Sequence, residues 1–263
     1  GETSRLAIGN PDATPREFTY EVPRYASQRK RVEGAPFGTR GGISVVHNFP
    51  ADGHYFFRMS FQHESTGNLF GNGRGALHTA DEPEQIEVSV NGERAALLNV
   101  ERWAHRQDSE SMEIRTERIF VRAGPQRISA AFLKRFEGPV EDLMSPHEWS
   151  LADKKIGYSY GITTLPHLRD LVIGGPYDVT GVSDTPSRAR VFTCRPTMAN
   201  DEQPCAEQII LRLATGAYRR PVDDKEIATL MTFYRAGTQD GGFEAGIRTA
   251  LQAILASPDF IFR

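Results

Sequence analysis

Strand-period alternation through the first two thirds of the chain and helix-period spacing in the last third predict a mainly β plus α protein: an antiparallel β-sandwich or jelly roll followed by a small three-helix domain. Three observations carry that reading. In HYFFRMSF, Tyr55, Phe57, Met59 and Phe61 alternate with Phe56, Arg58 and Ser60, as a half-buried strand requires. In IEVSVNGERAALLNV, Asn91-Gly92 separates two alternating runs, and that pair accepts the positive φ of a tight hairpin turn. Towards the end, Ala206, Ile209, Ile210, Leu213, Ala214 and Ala217 fall on one face of a helix.

The elements follow in order. Residues 1–38, rich in Pro, Arg and Glu and without a sustained period, read as an extended lead-in. Residues 39–176 read as the sandwich: ISVVHNF and HYFFRMSF around the turn PADG, the Asn91-Gly92 hairpin, short strands near 112–122 and 126–134 joined at Ala123-Gly124-Pro125, and a last strand in LRDLVIGGP. A long insertion from about Phe136 to Pro166 interrupts it, and connections of that length are usually functional loops or partner contacts. Residues 177–202 read as a linker crossing the surface. Residues 203–263 form the helical part, with a break at Pro221, a capping signal in Asp223 and Glu226, a stop at Gly237 and a third helix from Gly242. It reads as incomplete at its C-terminus, because the apolar Phe260, Ile261 and Phe262 follow the last helix with nothing to cover them.

At 263 residues, with 39% hydrophobic and 25% charged residues, the chain can bury real cores. A formal charge of -3 with both signs interspersed argues against nucleic acid as a partner, and no run approaches the ~18 apolar residues of a membrane-spanning helix. Cys194 and Cys205 bracket a short loop rich in Pro, Asn and Asp, which suits a local disulfide, with two free thiols as the alternative. Their spacing matches neither haem attachment nor a paired zinc knuckle.

AYRRPVDDKEIATLMTFYRAG and GGFEAGIRTALQAILASPDFIFR, together with EGAPFGTRGG, FPADGHYFFRMSF, QIEVSVNGERAAL, AGPQRISAAF and LPHLRDLVIGGPYDVTGVSDTPSR upstream, resemble an uncharacterised family of exported multidomain bacterial proteins prominent in planctomycetes and acidobacteria. The resemblance implies a jelly roll similar to calcium-dependent, xylan-type carbohydrate-binding modules, followed by the family's helical domain. It also implies a c-type cytochrome domain upstream, so that haem c belongs to a segment outside this chain, and further helical domains downstream. The implied setting is the periplasm or cell surface, which agrees with a bridge between Cys194 and Cys205.

Calcium in a jelly roll needs several hard oxygens from adjoining loops. The loop acids Asp81, Glu82, Glu141, Asp142 and Asp153 are the candidates, against the plainer reading of solvated acidic loops. Stacking on sugar rings needs exposed aromatics, for which Trp103, Trp149, Tyr158 and Tyr160 are the loop candidates; the competing role is pinning the insertion to its own sandwich. No G-x-S-x-G, H-E-x-x-H or phosphate-loop motif occurs, so no catalytic residue is assigned, and the seven histidines are scattered. The expectation is therefore a non-catalytic binding or scaffolding segment of a larger exported cytochrome-containing protein, with a polysaccharide as ligand and other domains or an assembly as partners. The alternatives are part of a cytochrome-linked oxidoreductase whose active site lies in or between other domains, and a structural subunit of a membrane-associated assembly.

Overall fold

The computed structural model describes residues 2–63, 84–101, 104, 107, 112–134 and 165–262. Helix α1 (Glu2–Ile8) opens the chain and strands β1 (Arg16–Glu21), β2 (Thr39–Phe49), β3 (Asp52–Phe61), β4 (Glu84–Val90), β5 (Glu93–Val100), β6 (Glu113–Arg115), β7 (Ile119–Val121), β8 (Gly124–Leu133) and β9 (Leu168–Gly181) follow. Helices α2 (Pro186–Val191), α3 (Ala199–Tyr218), α4 (Asp224–Ala256) and α5 (Pro258–Ile261) complete it.

Among the described residues the strands make two antiparallel sheets. One runs β1-β9-β3, with β6 and β7 paired in succession along the free edge of β3; the other runs β2-β8-β4-β5. Alternation fixes what lies between them. Tyr55, Phe57, Met59 and Phe61 of β3 and Leu171 and Ile173 of β9 meet Ile86, Val88, Ile128, Ala130 and Phe132 of the other sheet in one core, all at 1% exposure or less. Turning β3 by one residue would push that whole aromatic row into water, so burial specifies the register. Asn91 and Gly92 sit at φ 53° and 85°, the backbone that a two-residue hairpin between β4 and β5 demands.

The last third packs a second core. Ala206, Ile209, Ile210 and Ala214 of α3 face Ile227, Leu230, Met231 and Tyr234, then Ile247, Ala250 and Ile254, of α4. The capping signal is realised: Glu226 N–H donates to the Asp223 carboxylate at 2.8 Å, and Asp223 N–H to the Glu226 carboxylate at 2.9 Å. The two helices read separately around Gly237 and Gly242 are one element with a kink, where Gly242 takes φ 72°. Cys194 and Cys205 form a disulfide, Cα to Cα 5.9 Å, that staples the α2–α3 connection to α3.

The first 38 residues differ from the extended lead-in that their composition suggests. Residues 2–8 are helical, and Ile8, 2% exposed, belongs to the helical core. Residues 16–21 zip onto β9 from Gly175 to Asp170 as the edge of the sandwich. Gln28 is buried, its side-chain oxygen accepting from Gly42 N–H at 3.2 Å and Leu168 N–H at 3.4 Å. Nor is 177–202 all linker: β9 runs on to Gly181, and α2 begins at Pro186, capped by Thr185.

The two cores are bolted together. Asn10 N–H donates to Pro50 O at 2.7 Å, and Asp52 accepts from Ala123 N–H at 2.7 Å and from the Ser183 hydroxyl at 2.8 Å. On the helical side of this junction Arg188 on α2, 3% exposed, donates to Ile8 O at the end of α1 and to the Glu244 carboxylate on α4.

Candidate functional site

The alternation that buries Tyr55, Phe57, Met59 and Phe61 turns His54, Phe56, Arg58 and Ser60 to the outer face of the five-stranded sheet. Phe56 is the surprise among them, a large ring on an outward position that is nonetheless 2% exposed. Beneath it on β9 lies Gly174, where a Cβ would stand 2.2 Å from the ring. Above it lies the Arg115 guanidinium from β6, 3.6 Å from the ring centroid. Ring and cation thus form a stack flat on the sheet.

A second stack adjoins the first. Tyr177 of β9, paired with His54 in register, has the Arg118 guanidinium 3.8 Å over its ring, and the Phe56 and Tyr177 rings are 6.3 Å apart at 32°. The backbone between β6 and β7 explains how Arg118 gets there. From Arg115 to Ile119 the chain spends one residue more than β3 does from Arg58 to Tyr55. Thr116 absorbs the mismatch: its N–H donates to Phe57 O at 2.9 Å, and its hydroxyl accepts from Phe57 N–H at 3.0 Å. Glu117 and Arg118 are left to bulge outward, and a bulge of this sort re-aims a side chain. Phe120 on β7 completes the surface, 47% exposed and edge-on to His54 at 5.8 Å.

Charge on this face is uneven. Arg58 is neutralised twice, by Glu113 at 2.8 Å and Glu17 at 3.1 Å, and Asp170 is held by Arg169 at 2.8 Å. Asp178 is 67% exposed at its side chain, 3.6 Å from His54 Nδ1 and 3.7 Å from Arg118. Arg115 has no ion pair among the described residues. His54 Nδ1 and Ser60 Oγ are buried atoms without a hydrogen-bond partner. Each stacked cation is worth ~0.5–2 kcal/mol depending on desolvation, enough to hold a long side chain in one place.

Asp81, Glu82, Glu141, Asp142 and Asp153, and with them Trp103, Trp149, Tyr158 and Tyr160, fall outside the described residues. Among the described residues no three His, Cys, Asp or Glu side chains converge as a metal site. His47 and His167 are buried inside the sandwich, where burial pushes His47 down to about 4 and lowers His167 as well. Sequence reasoning passed over the arginine face although one signal was there: Phe56 breaks the polar half of the alternation in HYFFRMSF. Its partners come from β6 and β9, about 60 and 120 residues away, and only strand pairing reveals them. A separate cleft of about 290 Å³ opens between the turn after α1 and the α4 kink, lined by Ile8, Asp12, Phe243, Glu244 and Arg248 among others.

A family profile described as "PSD5: Protein of unknown function (DUF1595)" matches residues 205–263, most of the helical cluster. Two solved structures align with longer stretches. A family 35 carbohydrate binding module from an environmental isolate is 13% identical, covering 64% of this chain and 99% of that one, at a TM-score of 0.28. Dimeric latent PorU from Porphyromonas gingivalis is 10% identical at a TM-score of 0.27, and the alignment covers 66% of this chain but 14% of that one. At such scores neither likeness bears on function. No curated protein matches the chain.

Proposed function

We propose that this segment is a binding and scaffolding module of a larger exported protein, in which the sandwich holds a polysaccharide on the outer face of its five-stranded sheet and the helical cluster fixes how that face is presented. The observation that carries the reading is the surface built on β3, where His54, Arg115, Arg118 and Phe120 stand side by side on a rigid sheet. Aromatic and multiply donating groups on a preformed surface are what an extended, hydroxyl-rich chain needs, because little ordering is left to be done on binding. The scaffolding half is supported by the Asn10–Pro50 and Ser183–Asp52 bonds between the two cores, and export by the Cys194–Cys205 disulfide, which persists in oxidising compartments.

Affinity electrophoresis through gels containing soluble plant polysaccharides tests the reading. Wild type is expected to be retarded by at least one of them, and Phe120→Ala to lose at least half of that retardation with its melting temperature unchanged. Uniform migration through every gel would sink the proposal. Added calcium separates two versions of it: retardation that requires calcium favours a ligand site at the loop acids Asp81, Glu82, Glu141, Asp142 and Asp153, whereas retardation indifferent to calcium favours the sheet.

A further inference from the structure

We infer that the ligand of this face is an acidic polysaccharide whose carboxylates are taken by Arg115 and Arg118; the inference rests on the binding reading above and names the ligand class. A neutral pyranose stacks on open ring faces, and at Phe56 and Tyr177 those faces are spent. Phe56 is 2% exposed beneath Arg115, and Tyr177 is half-buried beneath Arg118. What the sheet presents outward at these positions is guanidinium.

The geometry suits a carboxylate. Rings 6.3 Å apart carry the two cations as neighbours, and stacking on a ring leaves the edge N–H groups of a guanidinium free to donate. Two such forks match the two oxygens of a planar carboxylate, with little side-chain entropy left to lose. Charge agrees. Arg58 is already satisfied by Glu17 and Glu113, while Arg115 has no ion pair among the described residues and Arg118 has a long contact to an exposed aspartate.

Size and topology favour a polysaccharide over a protein. From His54 to Ser60 the outward row runs ~20 Å at ~3.3 Å per residue, and three strand spacings of ~4.8 Å set its width, giving a few hundred Å². A stable protein interface takes roughly 800 Å² per partner. An extended peptide normally adds to the edge of a sheet, where its backbone finds partners; laid across a face it would leave them unpaired. A sugar chain has no such backbone to satisfy.

The test uses the whole chain in gels of equal polymer content containing polygalacturonate, neutral xylan or carrageenan, with poly-glutamate as a soluble competitor. Polygalacturonate is expected to retard wild type most strongly. The Arg115→Gln/Arg118→Gln variant should lose at least about tenfold in Kd for it, equivalent to one lost charge-assisted pair. Arg118→Gln alone keeps Phe56 covered and should still lose several-fold, and melting curves verify that both variants fold. Xylan binding as tightly as polygalacturonate, or an unaffected double variant, overturns the carboxylate assignment and leaves the binding module standing. Carrageenan or poly-glutamate matching polygalacturonate overturns it too, since the face would then read charge alone. No retardation in any gel overturns both.

Discussion

His47 illustrates how one residue sets a condition on the whole sandwich. It lies 5% exposed on β2, its Nδ1 2.7 Å from the Tyr20 hydroxyl on β1 and its ring edge-on to Phe18 and Phe49 at 5.0 and 4.6 Å. Burial holds it down to about 4 from an ordinary 6.5. Above pH 6.5 the ring is neutral in both folded and unfolded chains and contributes no pH dependence. Below it the unfolded chain takes up a proton that the folded one refuses, so stability falls until the pH reaches about 4, by about 3 kcal/mol in all. Below that the folded ring is protonated too and the loss levels off. His47→Leu removes the titration, and denaturant midpoints measured from pH 7 to pH 4 should then decline less steeply than in wild type. Equal slopes would mean that the ring is hydrated in the folded state.

At the scale of elements, the Cys194–Cys205 bridge carries the clearest energetic claim. It closes an 11-residue separation from the α2–α3 connection into α3, and loop-closure entropy for a loop of this size corresponds to about 3 kcal/mol. Cys194→Ala/Cys205→Ala should lower stability by up to that amount and be indifferent to reductant, while wild type in reductant should fall to the level of the variant. Stability unchanged by reductant would show that the bridge adds nothing to the helical cluster. This staple was legible in the sequence because its determinants are local, as were the Asn91-Gly92 hairpin, the Asp223–Glu226 capping box and the buried half of β3. Elements held by distant partners were not legible. Helix α1 has seven residues, too few to persist alone, and is ordered by seating Ile8 among the helices. Strand β1 exists because β9, about 150 residues away, offers an edge. The arginine stacks fail the same test of locality, since Arg115 means nothing until β6 lies beside β3.

At the scale of the molecule, the question is whether two cores move as one. The chain enters through the helical cluster at Ile8, crosses to the sandwich at β1, and returns to the helices only at α2, so the junction is threaded twice. Arg188 closes the clasp: buried against the Phe192 ring at 5.1 Å, it ties the last carbonyl of α1 to Glu244 on α4. Losing it strands an acceptor and a carboxylate, but the Glu244 side chain is 42% exposed and water can reach it. The cost therefore belongs nearer ~1–3 kcal/mol than the ~3–5 kcal/mol of a fully buried pair. Because the lost contacts lie within the helical cluster, beside the Asn10–Pro50 and Ser183–Asp52 bonds that lead across to the sandwich, the loss should fall on the helical cluster first. Wild type is expected to unfold in one calorimetric transition, and Arg188→Met in two, with the helical cluster melting first since it alone loses contacts. The variant should still bind polysaccharide at low temperature, because Arg115, Arg118 and Phe120 sit on the sandwich and owe nothing to the clasp. Two transitions in wild type would refute the rigid joint and with it the scaffolding half of the proposed function, and a single unshifted one in Arg188→Met would refute the clasp.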